Sequence, residues 1–433
     1  MRARQLLSRA ARAPPGRAGG RLLQLLGLYP VRGVPPGGLH PQKRPLLPLL
    51  VVLVRRRGRA VSCERKKEML HSRALFPLFL SPQTPAPPAA LPARDPHFLA
   101  YTFITDDLVF ADGRTEMGAV GGSGPQAAWG FVLGCSLVGA TVPAAVVAGV
   151  GPDLPASARA WLTAALGPSG DACLVPWQAA TTPRAWQVLE ADGRRTQVWR
   201  TPPSHARTSM LLPGPRALPA GVLAAARALH AGVDPSRPRD LAWAGAVRRA
   251  ATPGAWLSLE TFQEAASRPP AACLARLLGC ATVFSPNEGE LASLVGSEGG
   301  VVAGARRLMG RALAGGPLEG ILVRCGAAGA VWVPRAPGEP VLAVPAALAG
   351  SAVRDTTGCG NAFLGAWTAA RVVGRVGVGH ALAVGAAAAA ATAEVVGPPP
   401  AVAESALLVV ARERMDAVRG RVVEVESGQG VLQ

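Results

Sequence analysis

The sequence predicts an α/β fold in which helices cover both faces of a mostly parallel β-sheet. The chain has 433 residues, 49% of them apolar, which is enough for a large buried core. From Phe98 onward, short β-rich apolar runs alternate with longer stretches of helical pattern, and glycine and proline punctuate the boundaries. Strands that alternate with helices are typical of a parallel sheet, because parallel neighbours need crossover connections.

The first half of this region predicts four elements. FLAYTFITDDLVF, from Phe98, predicts a strand followed by a loop with paired acids, and VPAAVVAGVG predicts a second, buried strand. AWQVLEADGRRTQVWR has two β-rich arms around Asp192-Gly193, which indicates a hairpin. ALPAGVLAAARALHAG has a helical pattern.

The second half predicts further strand and helix pairs. CATVFSPNEGELASLVG predicts a strand, a loop and a helix, and Leu318–Pro334 predicts two strands around a glycine-rich turn. DTTGCGNAFLGAWTAARVVG predicts a glycine loop that runs into a helix. HALAVGAAAAAATAEVVG predicts a second, Ala-rich helix that ends near Gly397.

Residues 1–97 are predicted to form a disordered leader, and residues 98–433 the folded domain. Proline and glycine cluster in the leader, and residues 1–60 carry thirteen basic residues and no acidic one. The net charge of +18 is therefore mostly a property of the leader, since the remaining residues sum to only about +5. Three interpretations stay open: an organelle transit peptide, a disordered tail and a mispredicted start. We expect a cytoplasmic protein, or a mitochondrial or plastid one if the segment is a transit peptide.

Composition excludes several classes of protein. The leader lacks interleaved aromatic side chains, so we expect no specific nucleic-acid partner and at most salt-sensitive binding. Seven scattered cysteines without a CxxC pair indicate reduced thiols and give no zinc signal. No apolar run reaches the ~18–20 residues of a spanning helix, so no membrane span is predicted.

The strongest chemical signal is the segment DTTGCGNAF, which begins at Asp355. Gly358 and Gly360 let the backbone turn tightly, so that consecutive amide N–H groups converge. The helix that follows directs its positive end to the same point. Such a turn can stabilise the charge that develops on a transferred phosphoryl group. For Cys359, between the glycines, a packing role and a reactive thiol both stay open.

This segment resembles the C-terminal signature D-T-(T/N)-G-A-G-D-x-F of the PfkB carbohydrate kinase family, which has the ribokinase-like fold. Upstream, SPNEGEL is similar to the family's N-x-x-E element through Asn287 and Glu290. RCGAAG is similar to its strand followed by x-G-x-x-G, through Gly326 and Gly329.

A fourth motif resembles the family's sugar site. Gly121-Gly122 is similar to the N-terminal Gly-Gly element, and Asp106 and Asp107 lie upstream, where the family has an acid that binds sugar hydroxyls. The four motifs occur in family order over roughly residues 98–400. The resemblance implies a ribokinase-like three-layer sandwich with a small β lid, for which the Trp186–Arg200 hairpin is a candidate.

The resemblance also implies a role for each matched position, with ATP and Mg²⁺ as cofactors. The implied catalytic positions are the anion hole of Gly358, Cys359 and Gly360 together with Asn361 at the family's base position; the cofactor positions are Asn287, Glu290, Gly326, Gly329, Asp355 and Thr356; the substrate positions are Asp106, Gly121 and Gly122. Glu290 is in addition implied to hold Mg²⁺ through water.

Asn361 departs from the family pattern, which has Asp there as the base that takes the proton of the attacking hydroxyl. An amide cannot accept that proton at neutral pH, so a contribution of about 10²–10⁴-fold should be missing. Three outcomes stay open: a slow kinase, a kinase with a relocated base, and a nucleotide-binding pseudoenzyme. The fungal-type branch of the family, which carries Asn at this position, is the branch this chain resembles, and Glu260 lies near its W-E-P element.

The predicted function is transfer of the ATP γ-phosphate to a hydroxyl of a sugar or sugar-like alcohol. The alternative is a catalytically weak or inactive nucleotide- and sugar-binding regulatory protein of the same fold. The sequence does not identify the sugar, because specificity in this fold depends on a few loop and lid residues. It also leaves the oligomeric state open.

Overall fold

The computed structural model describes residues 96–190, 195–261, 265, 267–402 and 405–425. Almost the whole predicted leader lies outside these residues, as does the Asp192-Gly193 turn of the predicted hairpin. Within the described residues the strands are β1 (Phe98–Tyr101), β2 (Ile104–Val109), β3 (Thr115–Gly121), β4 (Ala144–Val150), β5 (Leu174–Pro176), β6 (Arg184–Leu189), β7 (Arg195–Trp199), β8 (Ala228–Gly232), β9 (Trp256–Glu260), β10 (Val283–Ser285), β11 (Gly320–Arg324), β12 (Ala330–Pro334), β13 (Leu342–Val344) and β14 (Val423–Glu424).

The helices surround this set of strands. They are α1 (Ser123–Leu137), α2 (Ala156–Leu166), α3 (His205–Leu211), α4 (Val222–Ala225), α5 (Pro238–Ala250), α6 (Ala271–Leu278), α7 (Glu288–Val295), α8 (Gly300–Met309), α9 (Cys359–Val372), α10 (Val378–Ala393) and α11 (Ser405–Arg419). Over the ranges that the structure describes, none of these helices has the length and apolar character of a membrane span.

Ten strands form one large sheet in the order β14-β13-β12-β11-β10-β9-β8-β1-β4-β5. The pairs from β11 through β8 and β1 to β5 are parallel, and β12, β13 and β14 add an antiparallel edge. The predicted mostly parallel sheet is confirmed. Because the strands β8 to β11 run in one direction, their carboxyl ends meet at one edge, where ligands bind in open α/β sheets.

Both faces of this sheet are buried, as its apolar strands require. Side chains of β1 alternate between two cores: Phe98 packs with α1, α9 and α10 on one face, and Leu99 packs with α5, α6 and α8 on the other. Helix α9 lies very close to α1, since a Cβ on Gly365 would stand 1.9 Å from the carbonyl oxygen of Ala127. The predicted three-layer architecture is confirmed. The starts of α1 and α9 also lie side by side, since a Cβ on Gly358 would stand 2.4 Å from the Gln126 side chain.

A separate four-stranded sheet, in the order β3-β2-β6-β7, forms the small lid. The predicted hairpin is present, because β6 and β7 pair antiparallel with Trp186 opposite Val198. Two predictions of local structure were wrong. The paired acids Asp106 and Asp107 lie within β2 and not in a loop. The run predicted as one helix contains only the single turn α4, and its end is the buried strand β8 between β1 and β9.

Candidate active site

The candidate site lies at the carboxyl edge of the large sheet. Three adjacent strands end there on polar or charged residues: β9 on Glu260, β10 on Ser285 and β11 on Arg324. Their side chains are buried or nearly so, because α7 and α9 begin directly above the same edge. Parallel strand direction thus brings together residues that are far apart in the sequence.

The predicted N-x-x-E element forms a capping box at the start of α7. The side-chain oxygen of Asn287 accepts a hydrogen bond from the Glu290 amide at 2.8 Å, and Oε2 of Glu290 accepts one from the Asn287 amide, also at 2.8 Å. Burial raises the pKa of Glu290 above its usual range, against the opposing charge of Arg324. Glu290 therefore caps α7 and also places a buried carboxylate at the site.

Arg324 connects this helix start to the neighbouring strands. Its Nη2 lies 3.2 Å from Oε2 of Glu290 and donates to the carbonyl oxygen of Ser285 at 2.9 Å. Its Nη1 lies 3.0 Å from Oε2 of Glu260. Arg324 lies within a sequence motif, but the sequence predicts no role for it. The feature that could have indicated a role is its charge at the end of an otherwise apolar strand.

The predicted glycine turn is present at the start of α9, and we call Gly358–Gly360 the anion turn after the role that the sequence predicts for it. Gly358 is the N-cap with φ of +80°, a conformation that glycine adopts readily, and Cys359 begins the helix. The side chain of Asp355 accepts a hydrogen bond from the Thr357 amide at 2.8 Å and so fixes the loop before the turn. The carbonyl oxygen of Thr356 accepts one from the Cys359 amide at 3.3 Å.

The anion turn directly abuts the capping box through Arg324. A Cβ added to Gly360 would lie only 2.2 Å from Nη1 of Arg324, the guanidinium that also contacts Glu290. The first turn of α9 therefore offers amide N–H groups beside a cation, an arrangement suited to an anion. Burial raises the pKa of the Cys359 thiol to about 12, so the packing role is the one its environment favours.

Asn361 faces the carboxylate of Glu260. With its NH₂ group turned inward, the amide donates hydrogen bonds to both carboxylate oxygens, and the one to Oε2 is 3.0 Å long. The reverse orientation would set oxygen against oxygen, so the hydrogen-bonding partners fix the orientation. Nε2 of His230 lies 3.8 Å from Oε1 of the same carboxylate. Sequence reasoning noted Glu260 only for its resemblance to a branch motif.

The predicted acceptor residues lie together in the lid sheet, on β2 and at the end of β3. Asp106 is 4% exposed, and its Oδ1 accepts a hydrogen bond from Gln187 at 2.8 Å. A Cβ on Gly121 would lie 2.0 Å from the Asp106 carboxylate, and Gly122 follows with φ of +92°. Burial raises the pKa of Asp106 to about 7, and the charge of Asp355 contributes in the same direction. Asp106 is therefore within electrostatic reach of the anion turn.

Asp107 is held inside the lid by partners of its own. Nη2 and Nε of Arg184 donate to its two oxygens at 2.6 and 2.7 Å, and Arg200 donates to Oδ2. The Gly118 amide donates to Oδ1 at 3.0 Å. Although burial opposes ionisation, these donors hold the pKa of Asp107 below its usual range. Of the two adjacent acids, Asp107 is the one whose oxygens are occupied by the lid itself.

The predicted nucleotide border is a short turn directly after Arg324. Gly326 has φ of +55° and nothing within 4 Å of an added Cβ, so it faces open space. Gly329 has φ of +101°, and a Cβ there would lie 2.0 Å from the carbonyl oxygen of Val344. Gly329 therefore permits the close approach of the end of β13, whereas Gly326 lines the accessible side of the turn.

The polar groups at this edge of the sheet can be compared with what the two expected cofactors, ATP and Mg²⁺, need in a binding site. Among the described residues, no group of three His, Cys, Asp or Glu side chains is arranged to hold a metal ion. Glu290 supplies a hard carboxylate oxygen, and Mg²⁺ that arrives with nucleotide phosphates keeps most of its water and needs few protein ligands. Amide N–H groups at a helix start and the Arg324 guanidinium fit phosphate oxygens. The residues present thus fit both ATP and Mg²⁺.

Comparison with known proteins gives one family and a consistent fold. Residues 176–403 match the model of the pfkB family carbohydrate kinase. No curated protein sequence matches the chain. Among solved structures, the chain is similar to ribokinase of Arabidopsis thaliana complexed with ribose and ATP, at 20% identity and a TM-score of 0.54, over 74% of this chain and 99% of that one.

Two further structures are similar to about the same degree. Fructokinase of Xylella fastidiosa with bound ATP is 18% identical with a TM-score of 0.56, over 74% of this chain and 99% of that one. The nucleoside kinase of Methanocaldococcus jannaschii is 15% identical with a TM-score of 0.50, over 75% and 100%. At these identities the likeness establishes the ribokinase fold.

Proposed function

This chain belongs to the pfkB family of carbohydrate kinases, and from that premise we propose that it transfers the γ-phosphate of ATP to a hydroxyl of a sugar or sugar-like alcohol. One observation carries the proposal. The anion turn at Gly360 and the capping box at Glu290 meet at the same guanidinium, that of Arg324. A phosphate group and a carboxylate-held cation would therefore be neighbours at this edge of the sheet.

In this proposal each group of residues has one task. The amides of Gly358–Gly360 hold the terminal phosphate, and Arg324 lies beside it. Gly326 and Gly329 border the nucleotide. Asp106 accepts hydrogen bonds from the acceptor sugar next to Gly121-Gly122. Mg²⁺ would neutralise phosphate charge when bound, and Asn287 and Glu290 would hold it through water.

Asn361 limits how fast the proposed reaction proceeds. Its amide oxygen can accept a hydrogen bond from the attacking hydroxyl and so align it, but the amide cannot remove the proton. Phosphoryl transfer depends mainly on positioning and electrostatic stabilisation, which the anion turn and Arg324 supply. We therefore expect a slow kinase. The second function that Asn361 favours is a nucleotide- and sugar-binding regulatory protein without turnover.

The test combines a thermal melt with a turnover assay. We expect Mg-ATP to raise the melting temperature, since saturation at 100 times Kd stabilises a fold by about 2.7 kcal/mol. ADP release should then depend on one member of a sugar panel. Stabilisation without sugar-dependent turnover supports the regulatory alternative, and the absence of both responses overturns the proposal.

A matched pair of variants locates the nucleotide. Gly326 and Gly338 both have positive φ and open space around an added Cβ, but Gly338 lies in the turn after β12. Both substitutions, Gly326→Glu and Gly338→Glu, therefore place a side chain at a positive φ without a steric clash. Only Gly326→Glu places a carboxylate at the proposed phosphate side, so it alone should abolish stabilisation by Mg-ATP. Equal responses of the two variants would contradict the proposed border.

A further inference from the structure

The residue at the proposed base position contacts a buried carboxylate. The Asn361 amide donates to both oxygens of Glu260, from the first turn of α9 to the last residue of β9. Asn361 is half-buried, whereas Glu260 is only 2% exposed. Glu260 is therefore the more deeply buried of the two, and the Asn361 amide contacts its carboxylate directly.

The surroundings of Glu260 favour its ionised form. Burial opposes the charge, yet Arg324 and His230 together hold the pKa of Glu260 below its usual range. Nη1 of Arg324 lies 3.0 Å from Oε2, and Nε2 of His230 lies 3.8 Å from Oε1. A second carboxylate, that of Glu290, contacts the same guanidinium. The edge of the sheet thus already holds a fixed negative charge directly beneath position 361.

We propose that Glu260 and Asn361 form a matched pair, in which Glu260 is a positioning residue that holds the Asn361 amide with its oxygen turned toward the acceptor hydroxyl. The pair rests on the proposed function for its role, but its contact stands independently of it. Hydrogen bonds to a carboxylate are stronger than those between neutral groups, so the ionised Glu260 selects one of the two amide orientations. The amide oxygen then points away from Glu260 as a fixed acceptor.

The geometry makes a counterintuitive prediction for Asn361→Asp. The new carboxylate would stand within hydrogen-bond distance of Glu260, and two carboxylates at that separation cannot both ionise at neutral pH. Asn361→Asp alone should therefore lower the melting temperature, on the order of 5 °C, and should not raise turnover. Adding a carboxylate does not by itself create a working base here.

Exchanging the two residues tests whether they act as a pair. The double variant Glu260→Gln/Asn361→Asp has one amide and one carboxylate, as the wild type does, but in exchanged positions. The NH₂ group introduced at position 260 can donate to the carboxylate introduced at position 361. We expect the double variant to lose less melting temperature than the two single variants lose together, although the contact of Arg324 with a carboxylate at position 260 is gone. Its kcat should equal or exceed that of the wild type, because the carboxylate is now on the acceptor side. If Asn361→Asp is insoluble, recovery of soluble protein in the double variant is the same result.

The single variant Glu260→Gln tests positioning by its kinetics, since it also removes the carboxylate that pairs with Arg324 and should itself lower the melting temperature. An amide opposite an amide no longer selects one orientation of Asn361, so kcat should fall about tenfold or more while the KM for ATP stays unchanged. The control Glu339→Gln removes an exposed carboxylate in the turn after β12 and should change neither quantity. A kcat of Glu260→Gln equal to that of the wild type overturns the positioning role.

The melting temperatures of the two single variants and the double variant, compared as a double-mutant cycle (the melting cycle), test the pair independently of the proposed function. Additive melting shifts in the two single variants and the double variant overturn the pair, whatever the enzyme does. Recovery in the double variant supports the pair even where no sugar is turned over, in which case the kinase proposal alone fails. Loss of Mg-ATP stabilisation in the wild type likewise concerns the proposed function and leaves the melting cycle to decide the pair.

Discussion

Gly360→Ala should destabilise this protein, although the same change in an ordinary helix stabilises it. In the first turn of α9, alanine gains about 1 kcal/mol of helix propensity over glycine. Its Cβ would stand 2.2 Å from Nη1 and 3.1 Å from Cδ of Arg324, so the guanidinium must move. Arg324 is 16% exposed at its side chain, and its partners Glu260 and Glu290 are 3% and 7% exposed.

The magnitude follows from that displacement. Breaking a buried pair leaves an uncompensated charge, which costs about 3–5 kcal/mol, and the remaining exposure of Arg324 places the cost at the lower end. After the gain in propensity, we expect a net loss of about 2 kcal/mol in the free energy of unfolding. Stabilisation by Mg-ATP should weaken in the same variant, because the cation beside the anion turn has moved.

Denaturant unfolding measures this change, and Gly245→Ala is its matched control. Gly245 lies within α5, and an added Cβ there meets only the end of the flexible Arg249 side chain, at 3.2 Å. The control should therefore gain about 0.5–1 kcal/mol. A Gly360→Ala protein as stable as the wild type, or more so, would refute the reasoning that Arg324 is held in place.

Three further predictions concern the lid and the turn. Because burial raises the pKa of Asp106 to about 7, the free energy of unfolding should fall by up to about 4 kcal/mol as pH rises from about 4 to 7. Asp106→Asn should remove this fall. The reasoning is contradicted if the denaturant midpoints of the two proteins run parallel between pH 5 and 8. Asp107→Asn should loosen Arg184 and Arg200 and speed limited proteolysis of the β6–β7 hairpin, with Mg-ATP stabilisation unchanged; an unaltered cleavage rate would show that the ion pairs do not hold the lid. Iodoacetamide at pH 8 should leave Cys359 unmodified by peptide mass spectrometry, since burial raises its pKa to about 12; rapid alkylation would restore the reactive-thiol interpretation.

Most of the fold was predictable because its strands and helices differ in pattern. The strand–loop–helix of SPNEGEL, the two strands around Gly326 and the helix after Gly358 all lie where the sequence places them. The segment ALPAGVLAAARALHAG, which ends at Gly232, is predicted as a helix because its alanines favour helix by composition. Its last five residues are instead buried as β8 between two parallel neighbours, so tertiary packing overrides intrinsic propensity there.

The site was predictable in its backbone and less so in its charges. The glycine turn and the Asn287–Glu290 box are local motifs, so their spacing alone indicated their structure. Arg324 and Glu260 have no such local signature, because each acquires its partners only when separate strands end at one edge of the sheet. Periodicity describes which side chains are buried, but it does not show which buried charges meet.

Asn361 shows why a substitution at a catalytic position has to be interpreted together with the charged residues around it. Considered alone, an amide at a base position indicates lost activity, because it cannot take a proton. In the structure, one guanidinium already faces two carboxylates, and a third carboxylate at position 361 would lie against the buried Glu260 without a cation of its own. Burial makes an unpaired charge costly, so an amide donor is the group that this charge arrangement accommodates. The residue at 361 is therefore best judged together with Glu260, and restoring catalysis requires changing both.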